Sequence, residues 1–195
     1  VMQRLLALFT CLALAQGASA QSNLLVVAED AGPDVDYTSL QAAIDAASPT
    51  DVILVREGSY QAPHLIGIID RFRISKSARI VAEEGAEVIL TDGVSVSGLD
   101  ADESVLLRGL IIDFSDDTQE GNAIRFGFSE GALWLEDCEL RAQSAQDHVF
   151  GSEGGWVDAM LVEAEGPALV TRTTIQGGGN ILILGNIQGV PLVAK

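Results

Sequence analysis

An apolar pattern that occurs three times restricts the fold of this 195-residue chain more than any other feature. The pattern is apolar-x-apolar-x-x-apolar-x-apolar, and its copies span residues 105–112, 133–140 and 168–175. Alternating apolar residues are typical of strands buried on one face. The recurrence of the same pattern along the chain predicts stacked structural repeats. The interval between copies varies, and the additional residues are rich in Gly and Asp, as loops are.

Many short strands fit either a sandwich or barrel, or a solenoid. Hairpin architectures need tight turns, of which Asp92-Gly93 is the clearest signal in this sequence. The repeat therefore favours a solenoid of about five coils, in which equivalent inward residues form ladders. We expect four ladders: Val105, Leu133 and Ala168; Leu107, Leu135 and Val170; Leu110, Cys138 and Thr173; Ile112, Leu140 and Ile175.

Residues 1–20 have the pattern of a secretory signal peptide. Arg4 precedes an apolar run over 5–15, and Ala18-Ser19-Ala20 is an A-x-A cleavage site. The run is too short to span a bilayer as a helix. We therefore expect the mature chain to begin at Gln21, to be extracellular or periplasmic, and not to insert into a membrane.

Residues 21–195 are predicted to form one domain, held together by packing. Cleavage after residue 20 removes Cys11, so Cys138 has no partner for an internal disulfide. The last apolar run, 190–194, has no polar cap, so we expect the domain to be truncated at its C-terminal end. A net charge of −17 repels nucleic acid and anionic lipid, which excludes both as expected partners.

One helix is predicted, over residues 38–47. Thr38 and Gln41 form a capping box at its start. Apolar residues follow at the spacing of one helical face: Leu40, Ala43, Ile44 and Ala47. So short a helix is marginal alone, so we expect Leu40 and Ile44 to cover the first ladder.

The start of the mature chain resembles a known superfamily. Residues 26–47, VVAEDAGPDVDYTSLQAAIDAA, and 52–60, VILVREGSY, resemble the opening of pectin-lyase-like right-handed parallel β-helix proteins. The resemblance implies an all-β fold, a right-handed parallel β-helix of about five coils with a short N-terminal capping helix. Within the superfamily, the opening is most similar to that of pectin methylesterases.

Pectin methylesterases use a nucleophilic Asp, an acid/base Asp, oxyanion-binding amides and a late Arg. By resemblance, Asn122 takes the place of the first amide, Gln146 that of the second, and Asp147 that of the acid/base carboxylate. The nucleophile position falls on Ile181, and no Arg occupies the late position. The catalytic motif is therefore incomplete.

Two tryptophans and one arginine are candidate ligand-binding residues. Trp134 lies between two inward residues and is predicted to point outward, where its ring is a platform for a sugar. Trp156 lies in a Gly-rich loop with the same potential. We expect Arg125 and Trp156 to line one shallow groove together with Asn122, Gln146 and Asp147.

Four carboxylates occur close together after the first copy of the repeat: Asp113, Asp116, Asp117 and Glu120. Such a cluster is either a solvated acidic loop or a Ca²⁺ site, because this cation takes six to eight oxygen ligands. Their spacing is not that of an EF-hand. No other cofactor is expected.

The sequence thus supports two hypotheses of different classes. The first is a secreted, non-catalytic module that binds a polysaccharide or a cell-surface partner. The second is a carbohydrate-active enzyme on acidic polysaccharide, similar to a pectinesterase or a pectate lyase. The absent nucleophile and late Arg favour the first.

Overall fold

The computed structural model describes residues 22–64, 70–114, 122–142, 160–176 and 181–183. These residues form one helix, α1 (Leu40–Ala46), and sixteen strands. The strands are β1 (Leu24–Val27), β2 (Val52–Val55), β3 (Gly58–Tyr60), β4 (Arg71–Ile74), β5 (Ala78–Ala82), β6 (Val88–Leu90), β7 (Gly93–Ser97), β8 (Ser104–Arg108), β9 (Ile111–Phe114), β10 (Ile124–Gly127), β11 (Ala132–Glu136), β12 (Glu139–Ala142), β13 (Met160–Glu163), β14 (Ala168–Thr171), β15 (Thr174–Gln176) and β16 (Ile181–Ile183).

The strands form three sheets in which all neighbours are parallel. Sheet A has the order β1-β2-β5-β8-β11-β14, sheet B β3-β6-β9-β12-β15, and sheet C β4-β7-β10-β13-β16. From β2 onward, successive strands belong to sheets A, B and C in turn, so each strand pairs with the third strand after it. Neighbouring strands therefore come from successive repeats of the chain, and the fold is all-β and parallel.

The register confirms the four predicted ladders. Leu133 pairs with Val105 and Ala168, and two residues later Leu135 pairs with Leu107 and Val170. The other two ladders follow from the pairing of β12 with β9 and β15, which aligns Leu140 with Ile112 and Ile175, and Cys138 with Leu110 and Thr173. The apolar ladder residues belong to one core, with Val170 and Ile175 only partly buried.

Each copy of the repeat has two adjacent x positions between its second and third apolar residues. These two residues form the corner at which the chain passes from sheet A to sheet B. The second of them is Gly109, Asp137 or Arg172, and each has a left-handed backbone, with φ of 72°, 54° and 47°. The corners stack, because Gly109 N–H donates to the carbonyl of Glu136 and Asp137 N–H to that of Thr171. The corner allows residues on both sides of it to point inward, at a cost of about 1 kcal/mol for each non-glycine residue.

Helix α1 covers one end of the core, as predicted. It contacts β1, β2 and β4, and Leu40 and Ile44 are almost fully buried. The predicted cap was wrong by one residue, since the hydroxyl of Ser39 accepts from Ala42 N–H at 3.3 Å. The side chain of Gln41 bonds Asp45 and the backbone of Arg73, so it does not close a capping box. Within the described ranges, no helix has both the length and the hydropathy needed to cross a membrane.

Asp51 joins the start of β1 to the start of β2. Its carboxylate accepts from the backbone N–H groups of Asn23 at 2.9 Å and Ser48 at 2.8 Å, and from the side-chain amide of Asn23 at 3.2 Å. These hydrogen bonds lower the pKa of Asp51 below its ordinary value of 3.8. The ionised carboxylate therefore stabilises the folded state.

Asp51→Asn is expected to lower the stability at neutral pH, because an amide presents one acceptor oxygen where two are used. A depressed pKa contributes stability above the unfolded-state value of 3.8 that is lost as the pH falls through the folded-state value. The difference between wild type and variant should therefore shrink from pH 7 to pH 2 in denaturation curves. Asp34→Asn is the control, since Asp34 is exposed. An Asp51→Asn deficit of equal size at both pH values contradicts this account.

Candidate functional site

Trp134 points outward from β11, the fifth of the six strands of sheet A. Its side chain is 48% exposed, although it lies in the interior of β11. The register places Leu106 of β8 on one side of it and Leu169 of β14 on the other. Trp134 is thus the exposed aromatic member of an outward apolar row.

An ionic cluster lies beside this row, formed by Arg108, Glu136, Asp137 and Arg172. Arg172 Nε is 2.5 Å from Asp137 Oδ1, and Arg172 also donates to Glu136. Arg108 Nε lies 3.7 Å from Glu136 and 3.8 Å from Asp137. The hydrogen bond from Arg172 lowers the pKa of Asp137 and raises that of Arg172. With two arginines and two carboxylates, the cluster has no formal net charge.

The apolar character extends across the outward side of sheet A, which we call the sheet A face. Its apolar residues come from all six strands: Leu24, Val26, Val52, Leu54, Val81, Leu106, Trp134 and Leu169. Leu24 and Trp134 are exposed and the other six are half-buried, while Arg79 of β5 lies between Val52 and Leu106 in the same row. An outward surface with this apolar content is a candidate interaction site. The sequence analysis identified Trp134 but missed the rest of the face. The apolar runs at 24–28 and 52–55 could have predicted this face. A strand that is buried on one side only has alternating apolar and polar residues, whereas these runs are apolar throughout.

Asn122 and Arg125 lie on sheet C. Arg125 of β10 points outward, and its Nη2 is 3.1 Å from Glu163 Oε2 on β13. Asn122 lies two residues before the start of this strand, and its backbone carbonyl accepts from Arg71 Nη1 at 2.6 Å. The remaining members of the predicted groove, Gln146, Asp147 and Trp156, lie outside the described residues.

Arg71 is the site residue on sheet C that the sequence analysis missed. Its guanidinium reaches from β4 across β7 to Asn122 and lies 4.9 Å from the ring centroid of Phe114. Burial lowers the pKa of Arg71 to about 10, and the positive charge of Arg125 contributes to the shift. The alternation in Arg71-Phe72-Arg73-Ile74 could have placed this arginine outward, but not its contacts.

Asp113, the described member of the predicted Ca²⁺ cluster, faces a cation. Its Oδ2 is 3.7 Å from Arg141 Nη1, while its buried Oδ1 has no hydrogen-bond partner within the described ranges. Nowhere in the part of the chain that the structure describes are three or more His, Cys, Asp or Glu side chains grouped to hold a metal ion. Asp116, Asp117 and Glu120 lie outside it.

Cys138 and Phe128 differ sharply in their surroundings. Cys138 is buried in its ladder, and burial raises the pKa of its thiol, so it is poorly suited to be a nucleophile. Phe128 is 79% exposed at a corner that follows sheet C, with a left-handed φ of 50°. It borders an acidic pocket that also includes Asp100, Glu130 and Glu165.

Comparisons with protein-family models, with curated proteins and with solved structures find no match for this chain. Two surfaces of the described structure are candidate binding sites. One is the sheet A face, with its exposed indole and balanced ionic cluster, and the other is formed by the arginines on the outward side of sheet C.

Proposed function

We propose that the chain is a right-handed parallel β-helix of about five coils, similar to pectin-lyase-like proteins, and that it is secreted after removal of residues 1–20. The regular succession of strands through sheets A, B and C supports the helical winding. The opening motif over 26–60 supports the relationship, and the A-x-A site at 18–20 supports secretion.

On this fold, the proposed function is that of a non-catalytic module that binds a polysaccharide through the sheet A face. The position of Trp134 carries the proposal. Its half-exposed ring offers a flat apolar surface to the C–H face of a sugar. The neighbouring ionic cluster supplies N–H donors and carboxylate acceptors for sugar hydroxyls.

The charge of this surface favours a neutral polysaccharide. The four groups of the ionic cluster balance one another, whereas the whole chain has a formal net charge of −17. An acidic glycan is repelled by the protein as a whole, while an uncharged one is not. A neutral chain can therefore use the apolar row without an electrostatic penalty.

The second candidate is a carbohydrate-active enzyme on acidic polysaccharide. The observation that favours it is the outward arginines on sheet C, Arg71 and Arg125, beside Asn122. Release of methanol from methyl-esterified pectin, or cleavage of polygalacturonate, by the wild-type protein would replace the first proposal with the second. The first predicts neither activity.

Trp134→Ala is expected to weaken binding to a neutral polysaccharide at least about tenfold, because a tryptophan at the centre of an interface contributes strongly to affinity. Binding would be measured by affinity electrophoresis and calorimetry on xylan, mannan, β-glucan and galactan, with polygalacturonate as the charged comparator. Phe128→Ala is the matched control, since it removes an exposed aromatic ring that is in the turn after β10 and is not one of the residues of the sheet A face.

The proposal requires that wild type and Phe128→Ala bind equally and that polygalacturonate bind more weakly than the best neutral glycan. Equal binding by Trp134→Ala and wild type overturns the role of the face. Failure of the wild-type protein to bind any glycan in the panel overturns the choice of a polysaccharide as the partner.

A further inference from the structure

Arg71 differs in its partners from the four arginines of the described part of the chain that form ion pairs. Arg108, Arg125, Arg141 and Arg172 each form an ion pair with a carboxylate. The contacts of Arg71 are instead a backbone carbonyl and an aromatic ring. A guanidinium has five N–H donors, and the bond to the Asn122 carbonyl uses one of them. Donors therefore remain for another acceptor.

Arg71 is partly buried and forms no ion pair with a carboxylate of the described residues. Partial burial of a cation is costly where no opposite charge offsets its desolvation. Desolvation by this burial is the main cause of the lowered pKa of Arg71. The nearby positive charge of Arg125 adds repulsion. The carboxylate of Glu163 is already paired with Arg125, at 3.1 Å. A bound anion would offset the charge of Arg71.

The position of the Arg71 guanidinium is built by three adjacent strands. A Cβ atom at Gly93 would lie 2.5 Å from Arg71 Nη1 and 2.8 Å from the Asn122 carbonyl oxygen. The absence of a side chain at this one point of β7 therefore lets Arg71 cross from β4 to the start of β10. The guanidinium also packs over the ring of Phe114. The group is thus held in place, as a binding residue must be.

We propose that Arg71 binds an oxyanion on the outward side of sheet C. The ligand is a phosphate, sulfate or carboxylate group, because such oxygens accept from the planar N–H fork of arginine at short range. This site is separate from the sheet A face and does not depend on the proposed polysaccharide binding.

The test is a titration of the full chain with sodium phosphate, sulfate and acetate at constant ionic strength, balanced with chloride. Binding would be followed by ¹⁵N NMR at Arg71 Nε–H and at the amide of Gly93. Wild type is expected to show saturable shifts with at least one oxyanion. Arg71→Met is expected to weaken binding at least about tenfold, because its apolar chain preserves packing on Phe114 but has no charge or donors.

Arg73→Met is the matched control, since Arg73 is exposed two residues along the same strand and on the same side. It should bind as wild type does. Should Arg71→Met fail to fold, Arg71→Lys keeps the charge without the fork and should bind several-fold more weakly. Saturation with phosphate or sulfate alone identifies a tetrahedral ligand, and saturation with acetate a carboxylate. Unchanged affinity in both Arg71 variants, absence of saturation, or equal loss in Arg73→Met (an adventitious ion only) overturns the proposal.

Discussion

Gly166→Ala is expected to destabilise the protein by about 3 kcal/mol or more, because the added methyl group overlaps backbone atoms that cannot move independently. A Cβ at Gly166 would lie 1.8 Å from the carbonyl oxygen of Gly131 and 2.5 Å from that of Glu130. The turn that contains Gly166 is also hydrogen-bonded to the turn that contains Ser129 and Gly131, since Gly166 N–H donates to the carbonyl of Ser129 at 3.0 Å. Separating them to admit the methyl group breaks this contact.

Urea denaturation followed by circular dichroism measures the effect. Gly32→Ala is the control, because a Cβ there meets only Val35 Cγ2, at an ordinary 3.5 Å. It should change the free energy of unfolding by less than about 0.5 kcal/mol. If Gly166→Ala is as mild as this control, the close stacking of the corners is contradicted.

Cys138→Asp is expected to lower the free energy of unfolding by about 4 kcal/mol at neutral pH, since it places an unpaired charge in the core. The thiol is almost fully buried, and its Sγ lies 3.4 Å from the carbonyl oxygens of both Leu107 and Glu136. A carboxylate there faces two acceptors. Burial raises the pKa of such a carboxyl, so the loss should be smaller at pH 4, where it is protonated in the folded state.

Glu139→Ala is the neighbouring control. Glu139 is an outward residue whose carboxylate pairs with Arg141 at 2.6 Å, a partly exposed contact that contributes at most about 1 kcal/mol. Both variants would be measured by chemical denaturation at pH 7 and pH 4. Comparable losses for the two substitutions would contradict the inward position of Cys138.

The ladders and the covering helix were predictable because they depend on local patterns. The alternation of apolar and polar residues assigns each strand residue to the inner or outer side of its sheet. Two consecutive non-apolar positions interrupt the alternation and mark the corner at which the chain turns. The helix cap was less predictable. Thr38 and Ser39 are both good N-cap residues, and in the structure the hydroxyl of Ser39 caps the helix. The side chain of Gln41 bonds the backbone of Arg73, which is distant in the sequence, instead of closing a capping box.

The candidate sites were only partly predictable. Outward Trp134 followed from its position between Leu133 and Leu135, but the surrounding apolar face did not, since the repeat was used to assign inward residues alone. Arg71 and Asn122 are 51 residues apart, and no sequence pattern joins them. Their contact depends on the register of three strands and on the missing side chain at Gly93.

The sequence by itself thus determined which residues point inward, where the chain turns and which segment covers the first strands, because these follow from backbone periodicity and turn chemistry. Only the tertiary structure decided which outward residues meet. Stacking at about 4.8 Å brings residues of successive repeats together. Loops of unequal length hide that alignment in the sequence, so the ionic cluster beside Trp134 and the contact of Arg71 with Asn122 emerge only once the strands are paired.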